Sequence, residues 1–179
     1  MKRTLLAVSL CGTLAACGTL YPPPPPPPPP PQAEAGPAPA FLTRDVAWSS
    51  QKGSAVLKGH VDYAPSGARY TCAAQPVILT PDAPYSRWRM QQLYGSPERA
   101  ALPVSVVRGR QSDRPSDEYS AYVRKTACDG NGDFTFQGLP AGVWFIVAVV
   151  QPQVPGAEPV ALMRRVDVRK GVVRNVLMQ

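Results

Sequence analysis

Asp129-Gly-Asn-Gly-Asp-Phe-Thr-Phe-Gln-Gly-Leu-Pro-Ala-Gly142 is the stretch on which the fold turns. Asp-Gly-Asn-Gly at its start is turn chemistry, in which Gly130 and Gly132 allow positive φ. Asp133 to Gln137 alternates polar and aromatic residues. That is the period of a half-buried strand, so Phe134 and Phe136 share one face and fill a core. Leu139 plugs the end of that core, Pro140 stiffens the corner, and Gly142 starts the next strand. Val143 to Val150 then runs Val-Trp-Phe-Ile-Val-Ala-Val-Val, apolar on both faces. Its outer face needs a cover.

Outward from this stretch, turn signals and β-rich runs alternate from Gly53 onward. Strands are expected over 55–64, around Gly59, over 70–80, ending in Val77-Ile78-Leu79, and over 118–126, carrying Tyr119, Tyr122 and Val123. Two more close the chain, over 159–168 and 172–178, with Arg169-Lys170-Gly171 as their turn. About seven short strands and little helix predict an all-β sandwich.

The stretch from Asp129 to Gly142 resembles the hallmark of carboxypeptidase regulatory-like domains, which are transthyretin-like (prealbumin-like) β-sandwiches. Members show a D-x-x-G turn, an aromatic-x-aromatic strand, a Leu-Pro-x-Gly corner and a strand that opens on an aromatic residue. Gly59-His-Val and Val166-Asp-Val-Arg-Lys-Gly-Val-Val match the first and last strands of that family more loosely. The resemblance therefore spans roughly 53–178 and implies an accessory domain that binds, braces or spaces, without chemistry of its own.

The chain departs from that pattern in a long middle segment, Pro81 to Asp117. There 84–94 reads as a short helix, with Thr80 or Asp82 as cap and Gly95 as stop. Met90, Leu93 and Tyr94 fall on one helical face, which fits the cover that Val143–Val150 needs. Tyr85, Arg87, Trp88 and Arg89 are candidate partner contacts, because aromatic and guanidinium groups are enriched at binding hot spots. Packing of Trp88 and Met90 on the sheet is the plainer reading. Arg108 to Ser120 is polar and reads as a loop.

Catalytic signatures are absent from the sequence. His60 is the single histidine, inside an expected strand, and no G-x-S-x-G or comparable context accompanies it. Asp129, Asn131 and Asp133 imitate the start of a calcium loop, but Pro140 stands where an EF-hand needs glutamate, so a turn is the better reading. No zinc spacing, Walker loop or Rossmann fingerprint occurs, and no cofactor is expected.

At the N-terminus, Lys2 and Arg3 precede an apolar, small-residue run from Thr4 to Ala16. It is too short to cross a bilayer, which needs about 20 apolar residues, and reads as a cleaved signal, residues 1–16. Leu14-Ala15-Ala16-Cys17 resembles the lipobox of bacterial lipoproteins, which implies diacylglycerol on the Cys17 thiol. Cys11, preceded by Leu10, fits the box less well. Gly18 in place of aspartate implies the outer membrane in a Gram-negative source. Ten consecutive prolines, Pro22 to Pro31, can form neither helix nor sheet and predict a polyproline II rod. At 3.1 Å per residue its length is roughly 31 Å. Residues 17–52 thus read as a lipidated cysteine and Pro-rich linker, and 53–179 as the sandwich domain. A stalk is the simpler use of the prolines; a PxxP ligand is the alternative.

With Cys17 lipidated, Cys72 and Cys128 remain as an even pair in an oxidising compartment, which predicts a disulfide; two buried thiols are the alternative. Its loop would contribute about 4 kcal/mol through chain entropy.

The formal charge of +7 falls to +5 when Lys2 and Arg3 leave with the signal. A basic surface favours anionic partners, or is simply a solvated face. Nucleic acid is not an expected partner, because the compartment is wrong and no motif for it occurs. Together these features predict a non-enzymatic, lipid-anchored periplasmic module, bound to the outer membrane through its lipid. Its expected partners are envelope proteins, peptidoglycan or other glycan. The alternatives are a subunit of an envelope-spanning secretion apparatus, since type VI secretion lipoproteins share anchor and fold, and, further off, a hydrolase using His60 or the Asp129 cluster.

Overall fold

The computed structural model describes residues 38–111 and 116–179. Strands β1 (Ala55–Val61), β6 (Asp133–Leu139) and β9 (Val173–Met178) form one sheet in the order β6-β1-β9, with β1 antiparallel to β6 and parallel to β9. A second sheet contains β3 (Pro76–Pro81), β4 (Arg99–Pro103), β5 (Arg124–Ala127), β7 (Gly142–Pro152) and β8 (Val160–Val168). Its order is β4-β8-β7-β3-β5, and the two-residue β2 (Tyr70–Thr71) pairs with β7. The all-β sandwich is as expected, with nine strands among the described residues where about seven were predicted.

The sandwich core holds Leu57, Phe134, Phe136, Trp144, Ile146, Val166 and Met178, all buried. Phe134 and Phe136 point inward together from β6, as the alternation requires. Gly59 stands opposite Phe134 in the β1–β6 register, and a Cβ there would lie 1.9 Å from the ring. The missing side chain is what lets the ring lie in. Leu139 is buried at the far end of β6. Gly138, with φ 65°, sits where β6 has one residue more than β1 between paired positions, a bulge that glycine accommodates.

The turn ahead of β6 differs in one detail. Only Gly132 takes positive φ, 86°; Gly130 does not. The Asp129 carboxylate does the remaining work, since its Oδ1 accepts from the N–H groups of Asn131 and Asp133, both at 2.9 Å. This is a side chain mimicking a backbone turn.

Cys72 and Cys128 are joined in a disulfide, with Cα atoms 5.7 Å apart. It pins the entry to the Asp129 turn onto the corner between β2 and β3, where Ala74 N–H donates to Cys128 C=O at 3.0 Å. That corner splits the single strand expected over 70–80 into two.

The strand β7 is buried on both faces. Trp144, Ile146, Ala148 and Val150 face the sandwich core, while Phe145 belongs to a second cluster on the outer face. Helix α2 (Pro84–Tyr94) covers that face with Met90, Leu93 and Tyr94, against Phe145, Ala161 and Met163. Full burial of such side chains is worth about 1.5–3 kcal/mol each. The helix bounds agree with the sequence reading; the cap does not. Neither Thr80 nor Asp82 caps it. The N-cap is Ala83, followed by Pro84 in the first turn, and the Ser86 hydroxyl accepts from Ala83 N–H at 2.8 Å. Gly95, at φ 73°, ends the helix.

Three further segments differ from expectation. Residues 118–126 do not form one strand: Ser116 caps a short helix, α4 (Asp117–Ser120), and only β5 is extended. The insertion contains β4, paired with β8, and helix α3 (Val104–Gly109). Consequently the polar run from Arg108 to Ser120 is in part helical. Finally, the packed body begins before Gly53. Helix α1 (Thr43–Val46) and a 3-10 turn (Ala47–Ser50) bury Val46 and set Trp48 against the core. Arg124 secures this segment by donating to Ser49 C=O at 2.8 Å. Apolar burial draws these residues into the domain although they read as linker.

Candidate functional site

Helix α2 crosses the outer face of the large sheet and leaves a cleft of about 280 Å³ beside it. Ile78, Thr80 and Val147 line it from the strands, Met90, Leu93 and Tyr94 from the helix. The opposite wall is α4 and the start of β5, which contribute Tyr119, Val123 and Lys125. Mostly apolar walls with a few polar groups are the usual make-up of a small-molecule site.

The polar groups are specific. The hydroxyls of Tyr119 and Thr80 are 2.8 Å apart. Burial raises the Tyr119 hydroxyl above its ordinary value and pushes Tyr94 up to about 12. Both are therefore neutral at neutral pH and are hydrogen-bonding groups, not charges. Arg89 lies close enough to lower both hydroxyls, a smaller effect than burial. Lys125 lies exposed on the β5 side. Among the described residues no carboxylate forms an ion pair with Arg89 or Lys125.

Beside the cleft stands an aromatic ridge. Tyr85 packs edge-on against Tyr119, with ring centres 5.2 Å apart, and Trp88 lies 6.3 Å from Tyr85. Phe41 reaches the same cluster, 5.6 Å from both Tyr85 and Tyr119 and 6.2 Å from Tyr122. Phe41, Tyr85, Trp88 and Tyr122 remain partly exposed.

Of the four candidate contacts, then, Arg89 lines the cleft and Tyr85 and Trp88 build the ridge. Arg87 goes elsewhere: it donates to both oxygens of Asp82, at 3.1 and 3.0 Å. Asp82, its side chain buried, also takes Arg165 at 2.7 Å, and so ties α2 to β8. The sequence reading missed Thr80, Tyr119, Tyr122 and Lys125 as site residues. The signal for two of them was present, since Ser116 followed by Tyr119 and Tyr122 is a capped turn with both rings on one side.

A second, shallower concavity of about 640 Å³ lies on the outer face of the small sheet. Lys58, His60, Asp133, Thr135, Asn175 and Leu177 line it. His60 Nδ1 is 2.8 Å from Asp133 Oδ1, and both side chains are about half exposed. With Asp129 bonded within its turn and Asp133 facing His60, the calcium-loop candidates Asp129, Asn131 and Asp133 do not converge. Among the described residues no group of three His, Cys, Asp or Glu side chains is set to hold a metal ion. No helix among the described residues is long and apolar enough to cross a membrane. Cys17 and the prolines 22–31 lie outside the described residues.

No known family model matches this chain, and no curated protein matches it. A solved structure does: a Pseudomonas aeruginosa protein described as a "putative carbohydrate binding protein". The two share a fold. Their TM-score is 0.60 at 23% sequence identity, over 79% of this chain and 98% of the other.

Proposed function

We propose that this protein is a non-enzymatic glycan-binding module, held at the outer membrane by lipid on Cys17 and carried on the Pro22–Pro31 stalk. The observation that carries the reading is the cleft beside α2, where Tyr94, Tyr119, Thr80 and Arg89 meet an apolar floor next to partly exposed aromatic rings. A sugar ring has an apolar C–H face and an equatorial rim of hydroxyls. The electron-rich face of an aromatic ring suits the first. Tyrosine hydroxyls and a guanidinium suit the second. The carbohydrate assignment given to the Pseudomonas aeruginosa protein of like fold supports the same class of ligand.

The lipobox-like Leu14-Ala15-Ala16-Cys17 and the resemblance of Asp129–Gly142 to carboxypeptidase regulatory-like domains support the anchor and the accessory role. Binding of the intact protein to a glycan panel and to isolated envelope polysaccharide tests the first part. Val147→Trp should fill the cleft and abolish binding; full binding by that variant would move the site elsewhere. For the anchor, mass spectrometry should find acyl chains on Cys17, and Cys17→Ala should leave the membrane fraction. An unmodified, unprocessed N-terminus would refute it.

A further inference from the structure

We infer that the cleft beside α2 takes an acidic sugar unit, a single ring bearing a carboxylate, with Arg89 and Lys125 at the carboxylate; this rests on the glycan reading above. Four described arginines are partly buried, Arg89, Arg124, Arg164 and Arg165, and among them Arg89 alone has no carboxylate or carbonyl partner among the described residues. Arg87 and Arg165 share the Asp82 carboxylate. Arg110 donates to Leu93 C=O, Arg124 to Ser49 C=O, and Arg164 to Leu177 C=O. Arg89 is partly buried, yet the groups near it are two hydroxyls that burial keeps neutral.

A cation at the mouth of an apolar cleft interacts with an anion more strongly than one in open water. Lys125, on the opposite wall, is a second cation without an ion-pair partner among the described residues. Among the described residues no acidic side chain lines the cleft. The site is thus built for one negative charge at its edge.

The floor decides what carries that charge. Ile78, Met90, Leu93 and Val147 offer nothing to a compact, fully hydrated anion, whose desolvation they would penalise. They suit a ring with an apolar face. At about 280 Å³ the cleft falls just below the usual range of small-molecule sites, roughly 300–1,000 Å³, so it holds one ring of a chain and leaves the neighbouring sugars to the ridge at Tyr85 and Trp88.

Calorimetric titration of the intact protein with the methyl glycosides of galacturonate, glucuronate and N-acetylmuramate, each against its neutral methyl ester, tests this. At least one acid should bind ten-fold or more tighter than its ester. Arg89→Gln should abolish that preference and Lys125→Gln should weaken it, both with an unchanged circular dichroism spectrum. His60→Ala, on the other sheet, should leave it intact. Equal affinity for acid and ester would overturn the inference and leave the glycan reading standing. Binding of acetate as tight as that of the acidic sugars would also overturn it, since the site would then be a bare anion site. If neither acids, esters nor the wider glycan panel bind, both readings fall.

Discussion

Trp48 and Trp144 meet edge to face, with ring centres 5.0 Å apart, although one precedes the first strand and the other stands at the heart of the sandwich. Trp48 also lies over Gly142, where a Cβ would come within 2.3 Å of its ring. The segment 43–50 is therefore a lid on the end of the core. Trp48→Ala should destabilise the domain by about 2–4 kcal/mol, read from urea denaturation. A protein beginning at Gly53 should be at least as impaired, and unchanged stability of either would contradict the packing.

Gly59 and Phe134 compete for one volume. Gly59→Ala should lower stability by about 1–3 kcal/mol, the usual range for overpacking. Combining it with Phe134→Leu, which removes the ring atoms that meet the new Cβ, should recover part of the loss. A double variant that is merely additive would show that the strain lies elsewhere.

Reducing the bond between Cys72 and Cys128 should lower the stability of the purified protein by about 2–4 kcal/mol, without changing the strand content of the native state. Thermal melts with and without reductant measure it. The Cys72→Ala, Cys128→Ala pair should reproduce the reduced melting point.

Alkali should weaken the protein through the cleft. The Tyr94 hydroxyl is pushed up to about 12 from an ordinary 10.0, mainly by burial. Above pH 10 the unfolded chain gives up a proton that the folded chain keeps. The contribution of Tyr94 is thus whole below pH 10 and is lost as the pH rises towards 12. The difference corresponds to about 2–3 kcal/mol. Tyr119 is shifted in the same direction, again by burial. In denaturation midpoints between pH 9 and pH 12, Tyr94→Phe should decline less steeply than the unaltered protein. Parallel curves would refute the assignment.

Asp82 holds two guanidiniums with a side chain that is 2% exposed. Asp82→Asn should destabilise by about 1–3 kcal/mol, because it takes the charge from a buried carboxylate that accepts hydrogen bonds from two partly exposed guanidiniums. It should also loosen α2 on the sheet. Faster hydrogen exchange confined to α2 and β8 would report this; a uniform change would not.

Short-range chemistry could be read directly. Pro84 near the start and Gly95 at the end bound α2 because both effects act within one turn. The alternation at Phe134 and Phe136 gave their face, and the unbroken apolar run from Val143 to Val150 announced a strand needing cover on both sides. Met90, Leu93 and Tyr94, spaced for one helical face, identified the cover.

What escaped that reading depends on neighbours far along the chain. Arg99-Ala-Ala-Leu-Pro103 has little β character of its own; it is extended because β8 offers an edge to pair with. Asp82 resembles a helix cap, yet Arg165, 83 residues on, claims its carboxylate. Phe41 to Ser50 looks like linker until Trp144 supplies a surface for Trp48. The cleft itself joins Thr80, Arg89, Tyr119 and Lys125 from four separate elements. Periodicity and turn propensity act over a few residues, so they settle where elements lie and which side is apolar. Which elements touch, and hence which polar groups converge, is settled by burial and pairing across the whole domain, and those energies exist only once the chain has folded.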